Sequence, residues 1–276
     1  MTLESVPDRY AVIGNPIEHS KSPQVHAWFA QQTQQAISYE RLLAPVDCFA
    51  DSVHAFIAQG GRGANVTVPF KLEAFALAQK LTPRAQAAGA VNTLSFSADG
   101  IEGDNTDGIG LVRDITRNAR VSLKNRSVLL LGAGGASRGV ILPLIEENIA
   151  SLVIANRTQP RAMELAQQFS DKGVPVSAAA FDQLDQCFDV IINATSASLD
   201  AALPPLPDGV FGSQTLAYDM MYGAQPTIFM QYASRKGAIV RDGLGMLIEQ
   251  AAESFFVWRG VLPETTAVYQ WLRGQL

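Results

Sequence analysis

Ser127-Val-Leu-Leu-Leu-Gly132-Ala-Gly134-Gly135-Ala-Ser137-Arg138-Gly139-Val-Ile-Leu142 is the stretch on which the fold turns. A short apolar run meets a Gly-rich turn, and the turn opens a helix. Glycine allows a tight turn and lets backbone come close to a ligand. The helix beyond points its unpaired N–H groups and positive dipole end at whatever sits in the turn. Such a terminus suits a pyrophosphate. The dinucleotide fingerprint is G-x-G-x-x-G/A. Gly132 and Gly134 fit it, and Ser137 takes the third position, where its small size preserves close helix–strand packing. A tight strand–helix turn without a ligand is the plainer reading. The strand before and the helix after favour a dinucleotide site.

Downstream, strands are expected at residues 128–131, 152–155, 174–178, 190–193, 216–219 and 238–240, with helical stretches between several of them. Six strands behind a Gly-rich first turn suit a doubly wound Rossmann sheet. The second strand ends in Asn156-Arg157-Thr158. An NAD site usually places an acidic residue there for the ribose diol. Arg157 stands in its place, and a guanidinium suits a 2′-phosphate bidentately. Thr158 is expected to cap the next helix. A solvated arginine is the alternative; the position favours NADP over NAD.

The residues before this stretch carry their own βα pattern. Residues 10–14 read as a buried strand. Ser22 followed by Pro23 reads as an N-cap and first helical residue, opening a helix to about residue 35. A strand at 39–44 and a helix capped by Asp47 and running through residue 57 follow. Gly60-Gly61-Arg62-Gly63 breaks the chain before a strand at 64–68, and Pro69-Phe70-Lys71 opens another helix. Thr82-Pro83 caps a short helix ending at Gly89. Residues 91–96 form a strand, Asp99-Gly100 signals a hairpin turn, and a helix runs from the Gly103–Gly108 segment to about residue 118. Two helical stretches, 244–258 and 263–276, follow the sixth Rossmann strand. The expected fold is therefore α/β with two domains. An N-terminal α/β substrate domain (1–103), completed by the C-terminal helices (241–276), joins a Rossmann doubly wound NADP domain (104–240). A cleft between two domains is the usual site for a small substrate.

The bulk properties agree. The chain of 276 residues is 47% hydrophobic and 17% charged, which supplies a core and does not describe a disordered chain. A formal charge of -5 argues against nucleic acid or an anionic membrane as main partner. Cys48 and Cys187 stand far apart, in no metal-ligand spacing, and read as reduced thiols of a cytoplasmic protein. The first ten residues contain no apolar signal core, and no apolar run approaches a membrane span.

Several residues have chemistry to offer. Ser20 and Ser22 would let two hydroxyls converge on a carboxylate, although Ser22 as a mere cap and Ser20 as a solvated side chain fit equally well. Lys71 in the first turn of a helix is opposed by the helix dipole. Read alone it suits a surface lysine with its stem on apolar neighbours; the functional reading is a proton-transfer lysine. Asp107 follows Asp104, Asn105 and Thr106, any of which would cap the helix, and that redundancy leaves room for a second duty. His19, His26 and His54 are scattered and read as structural or surface residues. There is no nucleophile elbow, P-loop or zinc pattern.

Eight segments share one order over residues 14–247: Gly14-Asn-Pro-Ile-Glu-His-Ser-Lys-Ser-Pro23, Ala64-Asn-Val-Thr-Val-Pro-Phe-Lys71, Gly89-Ala-Val-Asn-Thr93, Gly103-Asp-Asn-Thr-Asp-Gly108, Gly132-Ala-Gly-Gly-Ala-Ser-Arg138, Asn156-Arg-Thr158, Asn193-Ala-Thr-Ser196 and Asp242-Gly-Leu-Gly-Met-Leu247. Together they resemble the shikimate dehydrogenase family. The resemblance implies a cytoplasmic enzyme of aromatic amino-acid biosynthesis that reduces 3-dehydroshikimate to shikimate with NADPH, as a monomer or homodimer. It implies that Ser20 and Ser22 bind the substrate carboxylate with Tyr222 nearby. Asn65, Thr67, Asn92 and Gln250 would take ring hydroxyls, and Lys71 and Asp107 would form the catalytic pair. It places Gly132, Ala133, Gly134, Gly135, Ala136 and Ser137 on the pyrophosphate and Asn156, Arg157 and Thr158 on the adenosine phosphate. Met220 and Gly243 would lie along the nicotinamide. The chain departs from the family at Ala197-Ser198-Leu199, where Gly and Met are frequent, and at Ala27, where many members carry Asn. A quinate/shikimate dehydrogenase of broader specificity and a non-catalytic nucleotide or shikimate binder are the alternatives.

Overall fold

The computed structural model describes residues 6–195 and 203–276. Ala197, Ser198 and Leu199, the departure from the family pattern, lie outside the described residues.

The first sheet holds β1 (Asp8–Gly14), β2 (Ile37–Leu43), β3 (Gly61–Val66), β4 (Lys80–Leu81), β5 (Thr93–Ser97) and β6 (Gly100–Asp104), in the order β2-β1-β3-β5-β6-β4. β1 runs parallel to both neighbours, while β5 and β6 form an antiparallel hairpin whose turn residue Gly100 has φ +112. Helices α1 (Ser22–Thr33), α2 (Phe49–Ala58), α3 (Lys71–Leu77) and α4 (Pro83–Ala88) connect the strands. Thr82 caps α4 by accepting from the Ala85 N–H, and Gly89 ends it in the left-handed region, as the Thr-Pro…Gly pattern requires.

After β6 comes α5 (Asp107–Arg113), which continues into one π-helical stretch at Asp114–Asn118. The second sheet is wholly parallel. It comprises β7 (Ser127–Leu131), β8 (Ser151–Ala155), β9 (Val176–Ala179), β10 (Val190–Asn193), β11 (Leu216–Asp219) and β12 (Ile239–Arg241), ordered β12-β11-β10-β7-β8-β9. That is the Rossmann arrangement, with the order reversing at β7. Helices α6 (Gly135–Glu146) and α7 (Gln159–Gln168) follow β7 and β8, and α8 (Ile228–Arg235) precedes β12. The unbroken apolar run of β7 has a direct cause. Val128 and Leu130 pack with Val140, Leu144 and Leu165 on one face; Leu129 and Leu131 pack with Phe188 and Phe229 on the other. A parallel sheet covered on both faces calls for that composition.

The chain closes with α9 (Leu244–Arg259) and α10 (Thr266–Arg273). Leu244, Ile248 and Phe255 of α9 and Val268 and Leu272 of α10 share one core with Val25 and Phe29 of α1. Between the sheets, α5 is wedged against α6 and α9. A Cβ on Gly108 would strike the Gly139 carbonyl and Pro143, and one on Gly110 would strike Gln250 and the Met246 carbonyl. Only glycine permits both approaches. Ion pairs fasten the same region: Arg84 bridges Asp104 and Glu253, and the fully buried Asp114 accepts from Arg241 Nε and Nη2 and from the Tyr218 hydroxyl.

Several local expectations are corrected. Lys21, not Ser22, precedes the first helical residue of α1, and no side-chain cap bond forms there. The Ser22 hydroxyl is thus not spent on its helix. Asp47 does not cap α2; Cys48 holds that position. The glycine break continues directly into β3 from Gly61, because the rings of Phe56 and Trp258 occupy the space that Cβ atoms on Gly61 and Gly63 would need. Thr158 stands at the N-cap of α7 without a capping bond, and Asn156 donates to its carbonyl at 3.0 Å. β4, two residues long, lies outside the sequence expectations; it pairs with β6.

Candidate active site

A cleft of about 520 Å³ opens between the two sheets. The loop after β1 carries Ser20 and Ser22 to its wall. Arg41 on β2 fixes that loop by donating Nε and Nη2 to the Ser20 carbonyl at 3.0 and 2.6 Å, and Ser20 Oγ accepts the Ser22 N–H at 3.3 Å. β3 and the segment after it bring Asn65, Thr67 and Lys71. Asn92 arrives just before β5, and Asp107 opens α5. From the other side come Met220 and Tyr222 after β11, Gly243 and Gln250 from the start and middle of α9, and Ala136 from the Gly-rich turn.

Lys71 and Asp107 are each the first residue of a helix, and Lys71 Nζ donates to Asp107 Oδ2 at 2.5 Å. Their side chains are 23% and 10% exposed, so the pair is partly shielded yet open to the cleft. The carboxylate offsets the unfavourable position of a cation at a helix N-terminus. Asn92 Nδ2 donates to the other oxygen, Asp107 Oδ1, at 2.7 Å. Both oxygens of Asp107 are therefore acceptors with fixed donors, and the ammonium keeps further protons to offer. Burial, and then the Asp242 carboxylate, raise the Tyr222 phenol above the ordinary tyrosine range, leaving it a neutral donor facing the two serines' cleft.

Residues 12–94 match the family described as shikimate dehydrogenase substrate binding domain, residues 114–201 shikimate / quinate 5-dehydrogenase, and residues 243–273 shikimate 5′-dehydrogenase C-terminal domain. The shikimate dehydrogenase (NADP(+)) of Herminiimonas arsenicoxydans is 61% identical over 274 residues, 99% of this chain and 100% of that protein. The chain belongs to the shikimate dehydrogenase family. Among solved structures, an Ael1 enzyme from Pseudomonas putida superposes with TM-score 0.92 at 48% identity, over 96% of this chain and 98% of that one. Shikimate 5-dehydrogenase from Thermus thermophilus, in complex with NADP(H) and shikimate, does so with TM-score 0.86 at 32% identity, over 98% and 100%.

The nucleotide half of this shikimate dehydrogenase fold offers a cradle. Gly132 has φ +107, a conformation open to glycine, and its N–H bonds the Ala155 carbonyl at 2.8 Å. That bond sets the Gly-rich turn beside Asn156, Arg157 and Thr158 at the end of β8. Gly134 and Gly135 have open space where a Cβ would stand, and α6 begins there without a side-chain cap. Ser137 Oγ is buried with no partner among the described residues. An uncapped helix start, open glycines and an unpaired hydroxyl fit a pyrophosphate. Arg157 is exposed beside this turn. These residues lie outside the cleft lining except Ala136, which joins the two regions.

Sequence reasoning missed the layer behind the pair. Tyr39 and Ser254 stand outside the quoted motifs, and Thr93 and Thr106 stand inside theirs with no role beyond a candidate helix cap for Thr106. For Ser254 the signal was its four-residue spacing from Gln250, which puts both on one helix face.

Proposed function

We propose that this chain is an NADP-dependent shikimate dehydrogenase, catalysing reversible reduction of 3-dehydroshikimate to shikimate. The observation that carries the proposal is the Lys71–Asp107 pair at 2.5 Å, facing a cleft whose far wall includes Met220, Gly243 and Ala136 of the Gly-rich turn. The high-identity relatives named for this activity support it.

Bound NADPH supplies the hydride. On this reading Ser20, Ser22 and Tyr222 hold the substrate carboxylate with neutral donors. Thr67, Asn92 and Gln250 take ring hydroxyls, with Asn65 backing them. Lys71 stabilises the negative charge that builds on the carbonyl oxygen and gives it a proton. Asp107 holds the Lys71 ammonium and accepts from the substrate hydroxyl; in the reverse direction Lys71 receives the proton. Gly132, Ala133, Gly134, Gly135, Ala136 and Ser137 receive the pyrophosphate, Asn156, Arg157 and Thr158 the 2′-phosphate, and Met220 and Gly243 lie along the nicotinamide. Residues 1–103 with 241–276 form the substrate half and 104–240 the NADP half. We also propose a cytoplasmic enzyme, monomeric or homodimeric, that takes a small-molecule substrate rather than nucleic acid. No helix among the described residues is long and apolar enough to cross a membrane.

A steady-state assay following nicotinamide absorbance tests the proposal, offering shikimate or quinate with NADP or NAD. Turnover of shikimate with NADP is expected. Comparable turnover with NAD or of quinate would move the chain to a broader specificity and make Arg157 a bystander. Binding of NADP without turnover of either acid would leave a non-catalytic binder.

A further inference from the structure

Behind the Lys71–Asp107 pair lies a buried cluster of hydroxyls and carboxamides contributed by β2, β3, residues 92–93, Thr106 and α9. Ser254, fully buried on α9, is its hub. Its Oγ donates to the Gln250 carbonyl at 3.0 Å and accepts from Asn65 Nδ2 at 2.9 Å. It also lies 2.9 Å from Thr93 Oγ1 and 3.1 Å from Thr106 Oγ1.

The protons can be followed through the cluster. The Thr106 N–H, which can only donate, bonds Asn92 Oδ1 at 2.9 Å. The Thr93 hydroxyl donates to the same oxygen at 2.9 Å. Asn92 must therefore turn its Nδ2 to Asp107 Oδ1 at 2.7 Å and Thr106 Oγ1 at 3.0 Å. With Thr106 Oγ1 accepting that proton, its own hydroxyl is free to donate to Ser254. Asn65 spends its Nδ2 on Ser254 and the Asn92 carbonyl, and its Oδ1 accepts from the Tyr39 hydroxyl at 2.7 Å. The backbone N–H thus fixes the sense of the Asn92 carboxamide, while the hydroxyls keep alternative acceptors: Ser254 Oγ reaches the Gln250 carbonyl and Thr93 Oγ1, and Thr106 Oγ1 reaches Ser254 Oγ, Asn92 Oδ1 and Gln250 Oε1. Flipping that carboxamide would turn its NH2 onto the Thr106 N–H and strand polar groups away from water.

We infer that Ser254 is a positioning residue for the reaction: through Thr93, Thr106 and Asn65 it fixes the Asn92 carboxamide with its N–H groups toward Asp107, and so holds the carboxylate that holds Lys71. It is not among the residues that line the cleft. The inference rests on the hydride-transfer reading only for its kinetic consequence; the geometric claim stands apart. It also assigns α9 a second duty in the site beyond presenting Gln250.

Two measurements on the whole chain test it, with Ser254→Ala and Thr93→Val as independent variants. The first is solvent exchange of the Asn92 side-chain NH2 protons by nuclear magnetic resonance in the absence of ligand. Wild type should show protected, slowly exchanging protons, and both variants should lose that protection while backbone amides of the sheet keep theirs. Unchanged protection in both variants overturns the inference. The second is kinetic. Loss of about one hydrogen bond's ordering predicts a fall in kcat of about tenfold with KM for shikimate nearly unchanged. Ser254→Ala should then add nothing further to an Asn92→Ala enzyme, since residues that act through one another are not additive. Full additivity marks a structural role and also overturns the inference. Should wild type fail to turn over shikimate, the proposed function falls and the exchange measurement alone decides the role of Ser254.

Discussion

Replacing His26 by leucine should remove a defined part of the protein's acid sensitivity. The imidazole is fully buried on α1, stacked on Tyr39 with ring centroids 4.1 Å apart and planes 6° apart. Neither ring nitrogen meets hydrogen-bond geometry with a partner among the described residues. The Asn65 carboxamide lies near enough to favour the charged ring slightly, but burial outweighs it and pushes the pKa down to about 3 from 6.5. The unfolded chain thus binds a proton that the folded chain refuses. Stability is intact above the unfolded value and is lost as the pH falls from 6.5 toward 3. The loss from this one group is about 1 kcal/mol at pH ~5.5 and about 3 kcal/mol at pH ~4.5. Urea unfolding followed by tryptophan fluorescence reads it, since Trp258 lies 5.6 Å from the imidazole. Carboxylates titrate over the same range in both proteins, so the difference between wild type and His26→Leu isolates the histidine. The wild-type stability should fall by about 3 kcal/mol more than that of the variant between pH ~7.5 and ~4.5. Parallel pH dependences would refute the argument, because they would mean that the native ring protonates as readily as the unfolded one.

Two further outcomes concern the chemistry. Lys71→Ala should lower kcat by about two to four orders of magnitude, the usual span for a lost proton donor, with a much smaller change in KM. A large KM change with intact kcat would make Lys71 a binding residue only. Arg157→Ala should raise KM for NADPH about tenfold or more while leaving use of NADH unchanged, since a charge-assisted contact to the 2′-phosphate is removed. Equal losses with both cofactors would sink that assignment.

The sequence by itself determined the second sheet almost completely. Val128-Leu-Leu-Leu131 is apolar on both faces because both are covered, and Gly132 with φ +107 makes the turn no other residue makes easily. The first strand, the Thr82-Pro83 helix start and the Asp99-Gly100 turn were equally legible, since each is set by neighbours in the chain. The members of the cleft were legible as motifs. From residue type and spacing alone Lys71 reads as a surface lysine with no partner named, and only the family resemblance implies its pairing with Asp107. Only the tertiary structure brings Asp107, 36 residues on, to its ammonium. The misjudged caps have the same origin. Ser22 and Asp47 are good local caps, but the fold places Ser22 in the cleft and gives the cap position of α2 to Cys48. Gly108 closes a motif and Gly110 drew no reading from the sequence. In the structure they are the two points at which α5 meets α6 and α9. Ser254 is the extreme case: a single serine whose local signal is only its spacing from Gln250, given its partners when a helix more than a hundred residues downstream of Asn65, Thr93 and Thr106 packs behind them. Local rules fix backbone and burial, whereas a buried polar network is a property of segments that meet only in the folded chain.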